Sequence, residues 1–494
     1  MRRAAGPLAV VAALVIGIVG GERAGASPAA LPLALAAVAG VAAVALWRAH
    51  APVVAAVVAL GACLTTGVAV MERALDGLAR SPLHQVVATR ADATVSGTLV
   101  DDPDGTRFAS SVLLRVASVS TRGVAHADGG GRTVFVHASG DAASRLAVLD
   151  AGDRVTVRGW FRPLDGFATR FRWRHAVGTL EVNRVDAFGP PSSPLMTVAN
   201  RARAAVLRGT LDLPATERAV VAGFLVGDTR DAPDAVIAEF RASGLSHLLV
   251  VSGENVAFVL ALAGPVLRRL PRHVRFAGAL VVLVLFGTMT RWEPSVLRAC
   301  AMAACSLLAV FLGRPVAGVR ALAIAVAVLL VVDPFLVHSV GFLLSCGACL
   351  GIAVAGPWFS SRLRGPVWLR ESLGATLGAQ VGVAPVLIPV FGSVPLVSLP
   401  ANLLAVPLAG PLTMWGLAAG VVGGVVRPVA PPVARVLQVP TLVLVRAVMT
   451  IAAVGARAPL AIGATAAIAL VTAASGFWVA RRMLARRDVV VPPG

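Results

Sequence analysis

An apolar run at residues 244–264, GLSHLLVVSGENVAFVLALAG, carries Ser246, His247, Ser252, Gly253, Glu254 and Asn255. Charge in hydrocarbon is costly and is retained chiefly where it faces a wet cavity, a partner or a substrate. Later apolar runs each add a polar residue: Arg298 in PSVLRACAMAAC, Ser345 in VGFLLSC, Gln380 in GAQVGVAP and Asn402 in SLPANLLAVPL. On a continuous helix His247 and Glu254 share a face, and Ser252-Gly253 is a place where that helix would break. Together these residues suit a bundle with a hydrated polar path. An ion pair between Glu254 and Arg298 is the expected way for both charges to be held. Two plainer readings stand beside it: Gln380 and Asn402 as interhelical hydrogen-bond glue, and Ser252 with His247 as a membrane hydrolase. The nucleophile-elbow pattern G-x-S-x-G is absent, as are H-E-x-x-H and a Walker A loop. No catalytic residue, metal ligand or cofactor site is therefore assigned, and the chain is not read as an enzyme.

A second constellation lies at 158–176, RGWFRPLDGFATRFRWRHA. Arg158, Trp160 and Arg162 alternate with other residues, and Arg170, Arg172 and Arg174 alternate with Phe171 and Trp173. If the second set is a strand, its three guanidinium groups share one face. Cations beside aromatic platforms are how single-stranded nucleic acid is held without reading sequence. A half-buried strand with its rings in the core is the plainer alternative.

The elements that must position these residues follow from composition. Of 494 residues 57% are hydrophobic and 14% charged, against roughly 25% charged in soluble domains. This is a polytopic α-helical membrane protein. The net charge is +19 and every one of the 44 basic residues is Arg. A basic surplus fits nucleic acid, lipid headgroups or orientation signals alike. The five cysteines all sit in apolar runs, and Cys346-Gly-Ala-Cys349 reads as close helix packing rather than a redox or zinc pair.

Apolar runs at 7–21, 30–47 and 51–71 make an N-terminal transmembrane part, residues 1–72, with the first run retained as a span. Residues 73–190 differ: ATVSGTLV, SVLLRVASVS, GRTVFVHA and DRVTVRGWF alternate with period 2, between turns such as DDPDG. That pattern predicts an inserted, extracellular OB-like β domain. Residues 195–243 read as amphipathic interfacial helices. A transmembrane channel domain at 244–482 follows, with nine spans from 244–267 to 459–480, and then a tail at 483–494. Arg-rich loops at 268–275, 313–320 and 360–371 alternate with poorly charged ones, which places both termini in the cytoplasm of a plasma-membrane protein. That layout requires 393–410, with Pro395, Pro400 and Pro407, to be re-entrant or broken. Asp333-Pro334 reads as a loop or helix cap.

Several ordered stretches, FLVGDTRDAP, FRASGLSHLLVVSGENVAFV, PSVLRACAMA, DPFLVHSVGFLLSCGACLGI and QVGVAPVLIPVFGSVPLVSLPANLLAVPL, resemble the ComEC/Rec2 family of competence proteins. The resemblance implies a membrane channel that passes single-stranded DNA during uptake. It also implies an extracellular DNA receptor and a cytoplasmic motor as partners, besides membrane lipid. Ser246, His247, Ser252, Gly253, Arg298, Gly341, Phe342, Ser345, Gln380 and Asn402 match motif positions. Two departures are evident. Glu254-Asn255 stands where many members have Leu-His, and no metallo-β-lactamase-like segment follows, so a separate nuclease is expected. Homo-oligomer formation stays open, as do two rival functions: a transporter of another anionic solute, and the hydrolase.

Overall fold

The computed structural model of the chain describes residues 2–25, 30–49, 51–105, 108–121, 124–391, 393–395, 397–457 and 461–463. Three apolar helices come first, α1 (Arg2–Ala24), α2 (Ala30–Arg48) and α3 (Pro52–Ala79). α1 and α3 meet backbone to backbone, because a Cβ on Gly17 would overlap the Leu64 carbonyl and one on Gly67 that of Leu14. Where no water drives helices together, such small residues permit close packing.

A short helix α4 (Leu83–Ala88) leads into β1 (Asp92–Leu99), β2 (Asp104–Gly105), β3 (Ala109–Thr121), β4 (Val124–Asp128) and β5 (Thr133–Ser139). Helix α5 (Gly140–Leu146) separates these from β6 (Arg154–Arg162) and β7 (Ala176–Gly189). The period-2 alternation is realised: in β1, Ala93, Val95, Gly97 and Leu99 are buried while the residues between them are not. β1 pairs antiparallel with both β3 and β6, β3 with β5, and β6 with β7, and a parallel β5–β7 ladder closes the circuit. Five strands closing this way make the expected OB-like barrel. Val95, Leu114, Val134, Val157, Phe161 and Leu180 fill its core.

One expectation within this domain is corrected. Residues Gly166–Arg174 form a 3-10 helix, not a strand. Gly166 enters at φ +48 and His175 leaves at φ +62. With three residues per turn, Arg170 falls over Phe167 rather than beside Arg172 and Arg174. Its guanidinium lies 3.2 Å from that ring's centroid.

The second half begins with α6 (Pro194–Gly209), α7 (Ala215–Val226), α8 (Asp234–Ala242), α9 (Ser246–Leu249) and α10 (Gly253–Leu267). Next come α11 (Arg272–Met289), α12 (Pro294–Phe311), α13 (Gly318–Val332), α14 (Val340–Val354) and α15 (Gly356–Ser360). The last are α16 (Val367–Phe391), α17 (Ser398–Val426) and α18 (Pro431–Ala456). Among the described residues seven helices are long and apolar enough to cross a membrane, and four shorter apolar ones match other expected spans. α7 differs from an interfacial helix, since every residue from Ala219 to Val226 is buried.

Two expectations about the membrane part change. The span expected at 244–267 is interrupted, because α9 ends at Leu249 and α10 starts at Gly253. Residues 393–410 were expected to be re-entrant or broken, yet α17 runs unbroken through Pro400 and Pro407. Pro400 sits in the first turn, where its missing N–H costs no helical bond. Only Ser393–Pro395 lies outside, as a strand paired with Ala461–Gly463. The expected span at 459–480 falls largely outside the described residues.

By internal contacts the chain divides into two compact units. The first comprises Met1–Ala232, Val250–Cys346 and Gly410–Val443, and the second Pro233–Leu249, Gly347–Ala409 and Leu444–Gly494. Within the first, α6 crosses α17 at a Gly209–Gly420 contact with no room for a Cβ. Within the second, Gly347, Gly351 and Gly356 oppose Gly382, Gly378 and Gly374 of α16. A Cβ on Gly382 would overlap the Gly347 carbonyl, whereas one on Gly61 of α3 meets nothing within 4 Å. Overpacking costs about 1–3 kcal/mol. Gly382→Ala is therefore expected to lower the thermal midpoint of the detergent-solubilised chain by several degrees and Gly61→Ala to leave it unchanged. Equal midpoints would refute the glycine seam.

Candidate functional site

The break between α9 and α10 organises the first unit's polar residues. Ser252 is the N-cap of α10, and its Oγ donates to Asn255 Oδ1 at 3.3 Å. Asn255 Nδ2 in turn donates to the Phe224 carbonyl of α7 at 2.9 Å. The freed carbonyl of Val251 accepts from Ser295 Oγ of α12 at 2.9 Å. Unwound backbone at membrane depth survives only with such substitutes, and discontinuous helices of this kind mark binding sites in transporters.

Arg298 stands against this break. It is 6% exposed, and its Nη2 occupies the space that a Cβ on Gly253 would need. Nε donates to Ser345 Oγ of α14 at 2.8 Å and Nη1 lies 2.9 Å from the Met302 sulfur. Among the described residues Arg298 forms no ion pair. Glu254, the expected partner, is exposed in the first turn of α10 and does not reach it. There Glu254 complements the helix's positive end instead. His247 lies on α9, so it shares no helix face with Glu254. The result is a buried cation beside a helix N-terminus, two positive features converging on one place with no carboxylate to cancel them. Such a place accepts an anion.

The second unit holds the other candidates. Ser246 and His247 are exposed on α9. Gln380 Nε2 donates to Ser398 Oγ at 2.9 Å, tying α16 to the start of α17. One turn on, Asn402 is 7% exposed and its Oδ1 has no partner among the described residues.

In the β domain Arg158, Trp160 and Arg162 share the outer face of β6, with Trp160 45% exposed. Their charge is partly spent: Arg158 lies 3.9 Å from Asp186, and Arg162 binds both Asp165 and Glu181. Arg174 pairs with Asp101 at 2.7 Å, and Arg172 lies over Trp173. These six residues do not make one basic patch. The 3-10 helix instead docks the barrel. Trp173 stacks on His338 at 3.8 Å between centroids and meets Phe335 edge-on, while His175 lies 3.3 Å from Asp333. Asp333 also caps the turn Pro334–His338, as its Asp-Pro sequence predicts.

A charged hub was not foreseen from sequence. Arg203 of α6, 4% exposed, donates through Nη1 to the last carbonyls of α7 (Val226, 2.6 Å) and α11 (Met289, 3.0 Å). Its Nη2 meets Asp102 at 2.9 Å and Asp228 at 3.0 Å. Arg291 clasps Asp102 through Nε and Nη2 and reaches Asn200 through Nη1, while Arg230 forks onto Asp228. Burial alone would raise the Asp228 carboxyl, but the Arg230 hydrogen bonds and the Arg203 charge hold it well below the usual carboxylate range. Asp102 is likewise depressed, burial being outweighed by Arg203 and Arg291. Its local signal was only Gly227-Asp-Thr-Arg230 after a wholly apolar helix end; the other partners lie far off in sequence.

A family model described as "Competence protein" matches residues 224–487, just over half of the chain. The chain is similar to ComE operon protein 3 of Bacillus subtilis (strain 168), 29% identical over 216 residues, covering 42% of this chain and 27% of that protein. It is also similar to "Uncharacterized protein YcaI" of Escherichia coli (strain K12), 26% identical over 235 residues, covering 44% and 30%. The matched part thus spans less than a third of either relative. No solved structure matches.

The two buried arginines make opposite predictions. Removing one member of a buried ion-pair network costs about 3–5 kcal/mol, whereas removing a buried charge that has no counter-ion relieves its desolvation penalty. Arg203→Met is expected to lower the thermal midpoint sharply, and Arg298→Met to leave it unchanged or raise it. A large drop for Arg298→Met would show that Arg298 is structural.

Proposed function

Because the chain belongs to the competence protein family, we propose that its helices conduct single-stranded DNA across the plasma membrane, with Arg298 as a phosphate contact on the path. The observation that carries this reading is the buried Arg298 guanidinium with no carboxylate partner at the start of α10. A DNA strand brings one negative charge per nucleotide to such a place. A single cation, softened by Ser345 and Met302, holds a phosphate without trapping it; conduction requires binding weak enough to release. The carboxylate that would compete, Glu254, points its charge elsewhere by forming no pair there.

On this reading the β domain faces outward and receives DNA from a receptor, both termini are cytoplasmic, and a cytoplasmic motor draws the strand in. Ser252 acts as a helix cap, not a nucleophile, and the chain is a conduit rather than an enzyme. Its hydroxyl is engaged with Asn255, and its helix break serves backbone carbonyls.

The test is transformation of the native host with linear DNA after deletion of the gene and complementation. Loss of one charged contact worth about 1.4 kcal/mol is tenfold. Arg298→Gln is expected to cut transformation about tenfold or more at unchanged protein level, and Arg298→Lys to retain part of it. Gly253→Ala, which displaces the guanidinium, should resemble Arg298→Gln. Wild-type transformation by Arg298→Gln would remove Arg298 from the path. Unchanged transformation in the deletion strain would remove DNA as the cargo.

A further inference from the structure

The β domain bears an open groove of ≈ 500 Å³ on the outside of its barrel. Its floor comes from the parallel ladder, where Phe135 faces Thr179 and His137 faces Glu181 across β5 and β7. Val134, Val136, Leu180 and Val182 point the other way, into the barrel core. The wall is the chain that leaves β6, from Arg162 through Asp165 to Phe167 and Ala168.

Three features there point to one kind of ligand. Phe167 is 64% exposed, while Phe135 and Phe171 stack beneath at 4.1 Å between centroids, so the groove has an aromatic wall on a rigid base. Thr179 is 3% exposed and its Oγ1 lines the groove with no partner among the described residues. A buried hydroxyl without a partner costs free energy that a hydrogen-bonding ligand would recover. The two acidic groups are neutralised: Arg162 binds both Asp165 and Glu181, and His137 Nδ1 lies 2.9 Å from Glu181. A free phosphate would still meet two carboxylates in the groove, which disfavours a bare anion. A purely apolar ligand would leave Thr179 unsatisfied. A flat, neutral ring with hydrogen-bonding edges suits both walls, with Arg162 and Arg170 at the rim for an attached phosphate.

We propose that this groove holds one unpaired nucleobase of the incoming strand, packed against Phe167 with its edge toward Thr179 and the His137–Glu181 pair. The proposal rests on the DNA reading and names the group that the β domain grips. It moves that grip from the outer face of β6, where Arg158 and Trp160 lie, to the far side of Arg162. Paired bases are stacked inside a duplex and cannot enter, so the groove selects single strands.

The experiment measures binding of the purified full chain to labelled oligo(dT), to an abasic strand of equal length and to duplex. Base stacking on an aromatic side chain is worth about 1–3 kcal/mol, or roughly 5- to 150-fold. Wild type is expected to prefer oligo(dT) over the abasic strand and the duplex by at least fivefold. Phe167→Ala should abolish that preference while leaving the weak binding to the abasic strand unchanged, and Thr179→Val should reduce it. Phe167 is exposed, so this change leaves the fold intact. A base preference that survives Phe167→Ala overturns the proposal, as does a wild-type chain with no base preference or one that binds duplex equally well. Either failure leaves the conduit reading standing if Arg298→Gln still impairs transformation.

Discussion

Arg203 joins four things that would otherwise be separate: the carbonyl ends of α7 and α11, the β1–β2 connection through Asp102, and the α7–α8 connection through Asp228. A helix end buried without partners is unstable, and a buried guanidinium without acceptors is worse. Each solves the other's problem. The carbonyl ends of two helices are the negative poles of their dipoles, so the arginine is compensated by dipoles as well as by carboxylates. The barrel therefore has a fixed seat on the helices of its own unit, and the 3-10 helix adds a second seat at Pro334–His338.

The hub also maintains the turn that delivers α12. Arg291 and Trp292 both have left-handed backbones, at φ +57 and +53, a conformation that costs non-glycine residues free energy. The Arg291 fork on Asp102 and the packing of the Trp292 ring over Gly287, where a Cβ would lie 2.5 Å from it, hold that turn. α12 starts two residues later and carries Arg298. Position, in this chain, is set by one arginine in a charge network. Function is assigned to another arginine that lacks one. The two residues are equally deep, and their surroundings separate them.

Much of this was legible in the sequence. The membrane class, the alternating barrel strands, the Asp-Pro cap and the break at Ser252-Gly253 each rest on local rules of period, propensity or capping. The misreadings came where local rules tie or where partners are distant. Arg170–Arg174 alternates with aromatic residues, but five residues fit a strand and a 3-10 helix equally well. Gly166 and the left-handed His175 decide for the helix. A pairing of Glu254 with Arg298 was natural from burial, yet the helix start draws Glu254 to its own first turn. The hub could not be read at all, because Asp102 and Arg291 are 189 residues apart. Pro400 and Pro407 were read as breakers, but one occupies a first turn and α17 tolerates the other.

The account's central claim is that the Arg298 guanidinium touches the moving strand, and contact is best measured as contact. A photo-reactive amino acid in place of Met302, whose sulfur lies 2.9 Å from Arg298 Nη1, would sample that place directly. A single strand halted in transit by a bulky 5′ block should then form a cross-link on illumination, and an unblocked strand that has passed through should not. A halted strand that gives no adduct at Met302, while giving one elsewhere on the chain, would contradict the claim.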